Sequence, residues 1–522
     1  MEKVEWGDVQ GLVLSGYPTL QYSAYVLWRF LPGPPAAAKV WLGDLSDRLM
    51  RSGTLDKEED AARHAPAAPL TNLRALKKRT ASEKKHAASE LAAINLALTV
   101  HGLDHLGIPS NERAHFSSEF LEGMAPKPDS QAGLRRSNLL GDIAQNSPRL
   151  WNWGGWRADA QIDGVLLLYA ATAEALNALV ARETQAMRGA AEPIEGKPPL
   201  AADALHLRGR MYCDRKEHFG FTDSISQPII EGTAAAAKLK RDRPKEARIS
   251  VVMPGEIVLG YQNERGAEVS FSNGSAPSAP GSAAERAAPR DLGRNGTYLV
   301  FRQLEQNVQA FNAFVAQTAK RVHGRSDPQT EEWVASRLVG RWRNGEPLVE
   351  PSTDAPRAAN PRNDFLYYFE DRLGLSCPIG AHIRRANPRD TIGPDPDTAL
   401  RLSKMHRIIR RGRTYGEQLP TGAQGAAQHG EDKPRGMLFI CLNADIAGQF
   451  ELIQHSWLNN AHFGGLYAGA DPLSHFQCNG GVMTVQQRPH NLHLDGLKPF
   501  VTVRGGAYFF MPGIKALRSL AQ

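Results

Sequence analysis

Four short apolar runs, each bounded by glycine, proline or polar residues, constrain what this chain can fold into more than any other feature. Residues 164–169, 296–301, 437–442 and 507–510 are dense in Leu, Val, Ile, Tyr and Phe, as strands buried on both faces are. Between them lie stretches with apolar residues at helical spacing. Residues 37–50 carry Val40, Leu42, Leu45 and Leu49, and residues 307–319 carry Val308, Phe311, Phe314 and Val315 on one face. Residues 173–187 read as a helix, residues 450–457 as the start of one, and residues 91–98 as a return to the core. Residues 11–14 and 256–259 read as strands, and residues 23–28 as a strand or the start of a helix. Each half mixes antiparallel-type strands with helices, so the pattern points to an α+β fold.

At 522 residues the chain exceeds what one ordinary core accommodates, so one large or two fused domains are expected. No apolar run approaches the roughly 18–20 residues of a membrane span. The opening Met-Glu-Lys-Val-Glu-Trp lacks a basic then apolar leader pattern. The four cysteines are scattered with no Cys-x-x-Cys, which argues against a zinc knuckle or a thioredoxin-type pair. A cytoplasmic location is the expectation these features give. The net charge of +7 is modest, and no Lys/Arg stripe interleaves with aromatics, so neither nucleic acid nor membrane is an expected partner. Residues 52–87 and 272–290 read as surface excursions, and residues 343–362 as a long connection.

Three segments carry chemistry. In Cys377-Pro-Ile-Gly-Ala-His382-Ile-Arg-Arg-Ala-Asn-Pro-Arg389, one histidine sits between a Pro/Gly turn and three arginines. An imidazole can bind a metal through one nitrogen while a partner holds the other. Arginines nearby can hold carboxylates. By itself such a histidine is more often structural. In His218-Phe-Gly-Phe-Thr-Asp223-Ser-Ile-Ser-Gln-Pro228, an acid stands in a Gly/Ser turn, where aspartate commonly serves the turn itself. In His406-Arg-Ile-Ile-Arg410-Arg-Gly, an Ile-Ile pair turns part of a basic stretch inward, and a buried guanidinium needs a polar or anionic partner. The pairs His101/His105 and His490/His493 lack further ligands for zinc, and no P-loop, dinucleotide fingerprint or serine elbow is present.

In this order the three segments resemble the dye-decolourising peroxidase family of haem peroxidases, in its larger subgroup. Leu139-Leu-Gly-Asp142, residues 254–261, residues 293–302 and Gly506-Ala-Tyr-Phe-Phe510 also look like family core elements. The resemblance implies two ferredoxin-like halves of the dimeric α+β barrel type, with antiparallel sheets and peripheral helices. Residues 1–245 would carry the acidic loop, and residues 246–522 the histidine and the second arginine segment. It implies haem b (iron protoporphyrin IX), with His382 as iron ligand and Asp223 and Arg410 as catalytic groups. Arg384, Arg385 and Arg389 would be candidates for the haem propionates, and Met437 and Phe439 for the pocket wall.

The implied function is reduction of hydrogen peroxide, with one-electron oxidation of aromatic dyes or phenols through a ferryl intermediate. Haem storage, or removal of iron from haem, are the alternatives. Peroxide and small aromatic reductants are the implied partners, and a homo-oligomer is left open. Because aspartate ordinarily titrates near about 3.9 and histidine near about 6.5, a distal aspartate implies an acidic optimum. One residue departs from the family pattern: Ser224 stands where the family's motif has glycine.

Overall fold

The computed structural model describes residues 2–53, 91–127, 129–156, 161–194, 207–268, 291–349, 361–418, 433–474 and 480–522. The expected excursion after residue 53 and the loop at 272–290 lie outside the described residues, as does residue 350 onward in the long connection up to 360.

The first half supplies β1 (Tyr22–Phe30), β2 (Ala92–Leu98), β3 (Gly164–Ala170), β4 (Ala191–Pro193) and β5 (Leu207–Arg210) to one sheet. A small parallel pair follows, β6 (Ile229–Ile230) with β7 (Val251–Val252). The second half adds β8 (Thr297–Gln306), β9 (Ile409–Arg410), β10 (Arg413–Tyr415) and β11 (Gly436–Asn443) to the main sheet. The hairpin β12 (Gly481–Val485) and β13 (Leu492–Leu497) stands apart, and β14 (Val501–Met511) returns to the main sheet. The order is β10-β5-β1-β3-β2-β14-β8-β11-β9, with β4 on β1. Because β10 also pairs with β11, the sheet closes on itself. Closure removes free edges that would otherwise invite pairing between molecules.

Strand alternation explains the continuous apolar runs. In β3, Leu166, Leu168 and Ala170 enter one core, and Val165, Leu167 and Tyr169 enter another. The first core is covered by α1 (Ala36–Ser46) and α2 (Ala173–Ala186), through Trp41, Leu42, Leu45, Leu176 and Leu179. The second is the enclosed face, filled by Tyr25, Phe301, Phe509 and the segment from Val9 to Tyr17.

A third core holds the candidate site. It joins α3 (Val308–His323) and α4 (Pro328–Val339) to Phe365, Tyr367, Cys377 and the β12–β13 hairpin. Next come α5 (His382–Ala386), packed on α4, and α6 (Ile514–Leu520), whose Leu517 adds to the first core. Helix α6 follows Pro512-Gly513, where the sequence reading ended the last strand. This is an antiparallel α+β architecture of two ferredoxin-like halves with peripheral helices.

Two expected strands are turns. At 11–14, Val13 and Ser15 donate back to Gln10 and Gly11 carbonyls. At 256–259, Pro254 opens a tight 3-10 turn, and Val258 N–H donates to Pro254 O at 2.8 Å. Ile257, Val258 and Leu259 are fully buried there, so their apolarity reports burial rather than strand pairing. The helix expected from residue 450 is two successive π-helical turns, Ile446–Glu451 and Ile453–Leu458.

Candidate functional site

The outward face of β8 and β11, the third core and the residue 217–226 turn enclose a cavity of about 350 Å³. That is the size of a small-molecule or cofactor pocket. Asp223, His382, Arg389, Arg410, Met437 and Phe439 all line it, although they come from four separate segments of the sequence. Met437 and Phe439 reach it because both are half-buried positions of β11, alternating with the fully buried Leu438 and Ile440.

His382 is set by the turn before it and the stop after it. Ala381 N–H donates to Pro378 O at 3.0 Å, and α5 then begins at His382. Pro388 ends it, since the residue before proline is driven out of helical geometry, and Asn387 has φ −150° and ψ 83°. The imidazole Nδ1 contacts Asp471 Oδ2 at 2.8 Å. Asp471 is fully buried, and its Oδ1 accepts the Leu473 and Ser474 N–H groups and the Ser474 hydroxyl. Burial alone would raise its carboxyl, but the histidine and these donors prevail and hold it at about 2. Burial likewise opposes charge on His382, and Asp471 reverses that and raises the imidazole. With Nδ1 taken, Nε2 is the nitrogen left for a metal.

Arg410 sits on β9, paired to β11 at Cys441. Its Nη2 donates to Ile225 O at 2.6 Å and its backbone N–H to Gln227 Oε1 at 3.0 Å. Arg407 Nη2 donates to Ser226 O at 3.0 Å. Both arginines thus clasp the end of the turn that carries Asp223. Ser224 takes φ 65°, the left-handed conformation for which glycine is the usual choice, so serine here keeps the turn at a local backbone cost. Gly220 is required: its φ is +91°, and a Cβ would meet Arg343 Nε at 3.2 Å.

Arg384 and Arg385 need correcting. Neither lines the cavity. Arg384 is spent on Asp371 and the Cys377 carbonyl, at 3.1 and 2.7 Å. Arg385 donates to the Gly380, Trp457, Asn460 and Gly469 carbonyls. Arg384, two residues on from His382, falls on the far side of α5, whereas Arg385, three residues on, is drawn into the packing beneath α5 by its four carbonyl acceptors. Arg389 does line the cavity, with its guanidinium on the Asn363 and Phe365 carbonyls and the Asn363 amide oxygen.

The sequence reading passed over Arg341 and Arg407, which also line the cavity. Arg341 donates to the Gly345 and Arg362 carbonyls and to Asn363 Oδ1. Burial and neighbouring arginines push Arg341 to about 10 and Arg407 to about 9. Guanidinium stays charged in proteins, so these directions report buried cations crowded together and held by neutral acceptors. The guanidinium groups of Arg341, Arg389, Arg407 and Arg410 rest on carbonyl and amide oxygens, while Arg302, also in the lining, pairs with Asp142. Arg407 could have been found: it shares a segment with Arg410, three residues away on the inward side of the Ile pair. Asp471, 89 residues from His382, left no local signal.

Fold and cavity together define an α+β protein with a cofactor-sized cavity lined by a carboxylate-backed histidine, an aspartate and several arginines. No family model matches the chain. A multifunctional dye peroxidase of Amycolatopsis sp. is 30% identical over 441 residues, 82% of this chain and 82% of that protein. Dye-decolorizing peroxidase msp1 of Mycetinis scorodonius is 28% identical over 455 residues, 83% of this chain and 77% of that protein. Among solved structures, a DyP-type peroxidase of Anabaena sp. superposes with TM-score 0.71 at 22% identity, over 99% of this chain and 94% of that one. A single-site variant of the Pleurotus ostreatus enzyme gives TM-score 0.73 at 22% identity over 99% of each chain. The chain belongs to the dye-decolorizing peroxidase family, and it is a peroxidase.

Proposed function

We propose that the cavity holds haem b, with His382 Nε2 on the iron, and that Asp223 and Arg410 act on hydrogen peroxide beside it. One observation carries this reading. His382 has Nδ1 fixed by an anionic, fully buried Asp471 and still lines a cavity in which Arg341, Arg389, Arg407 and Arg410 rest on carbonyl and amide oxygens. Arg389, Arg407 and Arg341 are the groups suited to the haem propionates. When bound, the haem supplies the iron redox chemistry that reduces peroxide and withdraws electrons from a reductant.

The protein's own part is proton and charge management. Asp471 orients the imidazole and strengthens it as a donor. Asp223 takes the proton leaving one peroxide oxygen and returns it to the other. The fixed charge of Arg410 stabilises the negative charge that develops as the O–O bond stretches. Aromatic dyes and phenols are the reductants we propose, with activity greatest in acid because an aspartate rather than a histidine handles the proton. A maximum at neutral pH or above with several reductants would contradict this. Ser224, the feature behind the storage alternative, leaves the turn in its left-handed shape, so nothing in the turn favours that alternative.

Absorption spectra of the haem-loaded protein, before and after one equivalent of peroxide, test the reading. Asp223→Asn and Arg410→Leu should each slow the spectral change about a hundredfold or more, with haem content unchanged. A variant that reacts at the wild-type rate removes that residue from the mechanism. His382→Ala should lose or loosen haem, and an unaltered spectrum would reassign the ligand.

A further inference from the structure

The turn that carries Asp223 is built around a second acid. Glu217 lines the same cavity, and its carboxylate gathers three N–H donors from two elements. Oε1 accepts Phe221 N–H at 2.9 Å, and Oε2 accepts Phe219 N–H at 2.9 Å and Gln306 Nε2 at 2.7 Å. Backbone bonds close the same turn, from Glu217 N–H to Phe221 O at 3.0 Å and from Asp223 N–H to Arg215 O at 2.9 Å. Arg343 grips it from the other side. Its carbonyl accepts the Thr222 N–H and hydroxyl at 3.1 and 3.0 Å, and its guanidinium lies over the Phe221 ring.

A carboxylate offers about four lone-pair positions, and three of these are occupied by fixed donors. That leaves Glu217 poorly placed to exchange protons with peroxide. Its bonds instead tie the end of β8 to the backbone that carries Asp223. We propose that Glu217 is a positioning residue for the peroxide step, acting through Asp223 by holding the 217–223 turn against β8. This rests on the role given to Asp223 above. Misplacing a reacting group by about 1 Å can cost on the order of a hundredfold in rate, so a relaxed turn should be visible in the kinetics.

The test is a double-mutant cycle on haem-loaded protein, read as the rate of spectral change after one equivalent of peroxide. Glu217→Gln keeps one acceptor oxygen but turns an amide N–H₂ toward the donors at the other position. It should slow the change roughly tenfold or more with Asp223 present, but less than about twofold in an Asp223→Asn background. Gln306→Leu removes only the donor from β8 and should show the same dependence on Asp223 with a smaller loss. It decides the matter if Glu217→Gln fails to take up haem. Melting temperatures should fall equally in both backgrounds, so a general loss of stability cannot imitate the coupling. Equal rate losses in both backgrounds, or none with Asp223 present, would overturn the proposal. If Asp223→Asn alone reacts as fast as wild type, the Asp223 reading falls and takes this one with it. A slow Asp223→Asn with a fast Glu217→Gln sinks the positioning role alone.

Discussion

At the scale of single residues, the His382–Asp471 pair fixes which imidazole nitrogen is left for a ligand. A buried carboxylate held at about 2 is an anion at any working pH, and it fixes Nδ1 as the hydrogen-bonding nitrogen. Neutralising such a partner typically weakens metal affinity or activity about 10–100-fold. Asp471→Asn should therefore lose haem to a scavenging globin faster than wild type, with a shifted spectrum. Loss at the wild-type rate would mean that the 2.8 Å contact does not support the ligand. The His382 segment singles itself out in sequence because a histidine and arginines stand between Pro/Gly and Asn-Pro signals. Its arginines did not declare their tasks. Arg384 and Arg385 are satisfied by Asp371 and carbonyl groups, whereas Arg407, on another segment, faces the cavity.

At the scale of elements, apolar runs were read well where a strand is flanked by partners and poorly where a turn is buried. β3, β8, β11 and β14 lie where their runs predict. The 256–259 run is buried by the enclosed core around a turn that Pro254 and Gly260 permit, with Gly260 at φ +85°. That turn holds a pH-sensitive group. Burial raises Glu256 to about 7, helped by Glu264 and Asp445 and opposed by Arg265 and the Glu264 N–H bond. The folded state keeps this proton longer than the unfolded chain does. The stability that Glu256 contributes therefore falls as pH rises from about 4.5 to about 7 and levels off above that. Glu256→Gln keeps an acceptor for the Glu264 N–H and does not ionise. Its melting temperature should gain on wild type between pH 4.5 and 8 by the equivalent of about 3 kcal/mol. An unchanged gap between the two proteins across that range would show that Glu256 is not held in its protonated form.

At the scale of the whole molecule, the two halves meet in a shared sheet and a shared core. The paired ladder at the β2–β14 seam is one residue pair, Phe510 with Leu98, and at β5–β10 it is Thr414 with Arg210. Those seams are thin, but the first core mixes Trp28, Leu96 and Leu166 with Val300, Cys441 and Phe510 across them. Burial on this scale couples the halves more strongly than the seam hydrogen bonds can. Calorimetry of the haem-free protein should therefore show one unfolding transition, and two resolved transitions would mean that the halves are stable apart. The sequence by itself determined the α+β class and the main strands, and it singled out His382, Asp223 and Arg410, which the fold brings to one cavity, because periodicity and short motifs are local properties of a chain. Only the tertiary structure decided that Asp471 backs His382, that Arg341 and Arg407 face the cavity while Arg384 and Arg385 do not, and that Glu217 braces the Asp223 turn. Those choices depend on which carbonyls, carboxylates and strand faces the closed sheet brings within about 3 Å, and no local pattern encodes that.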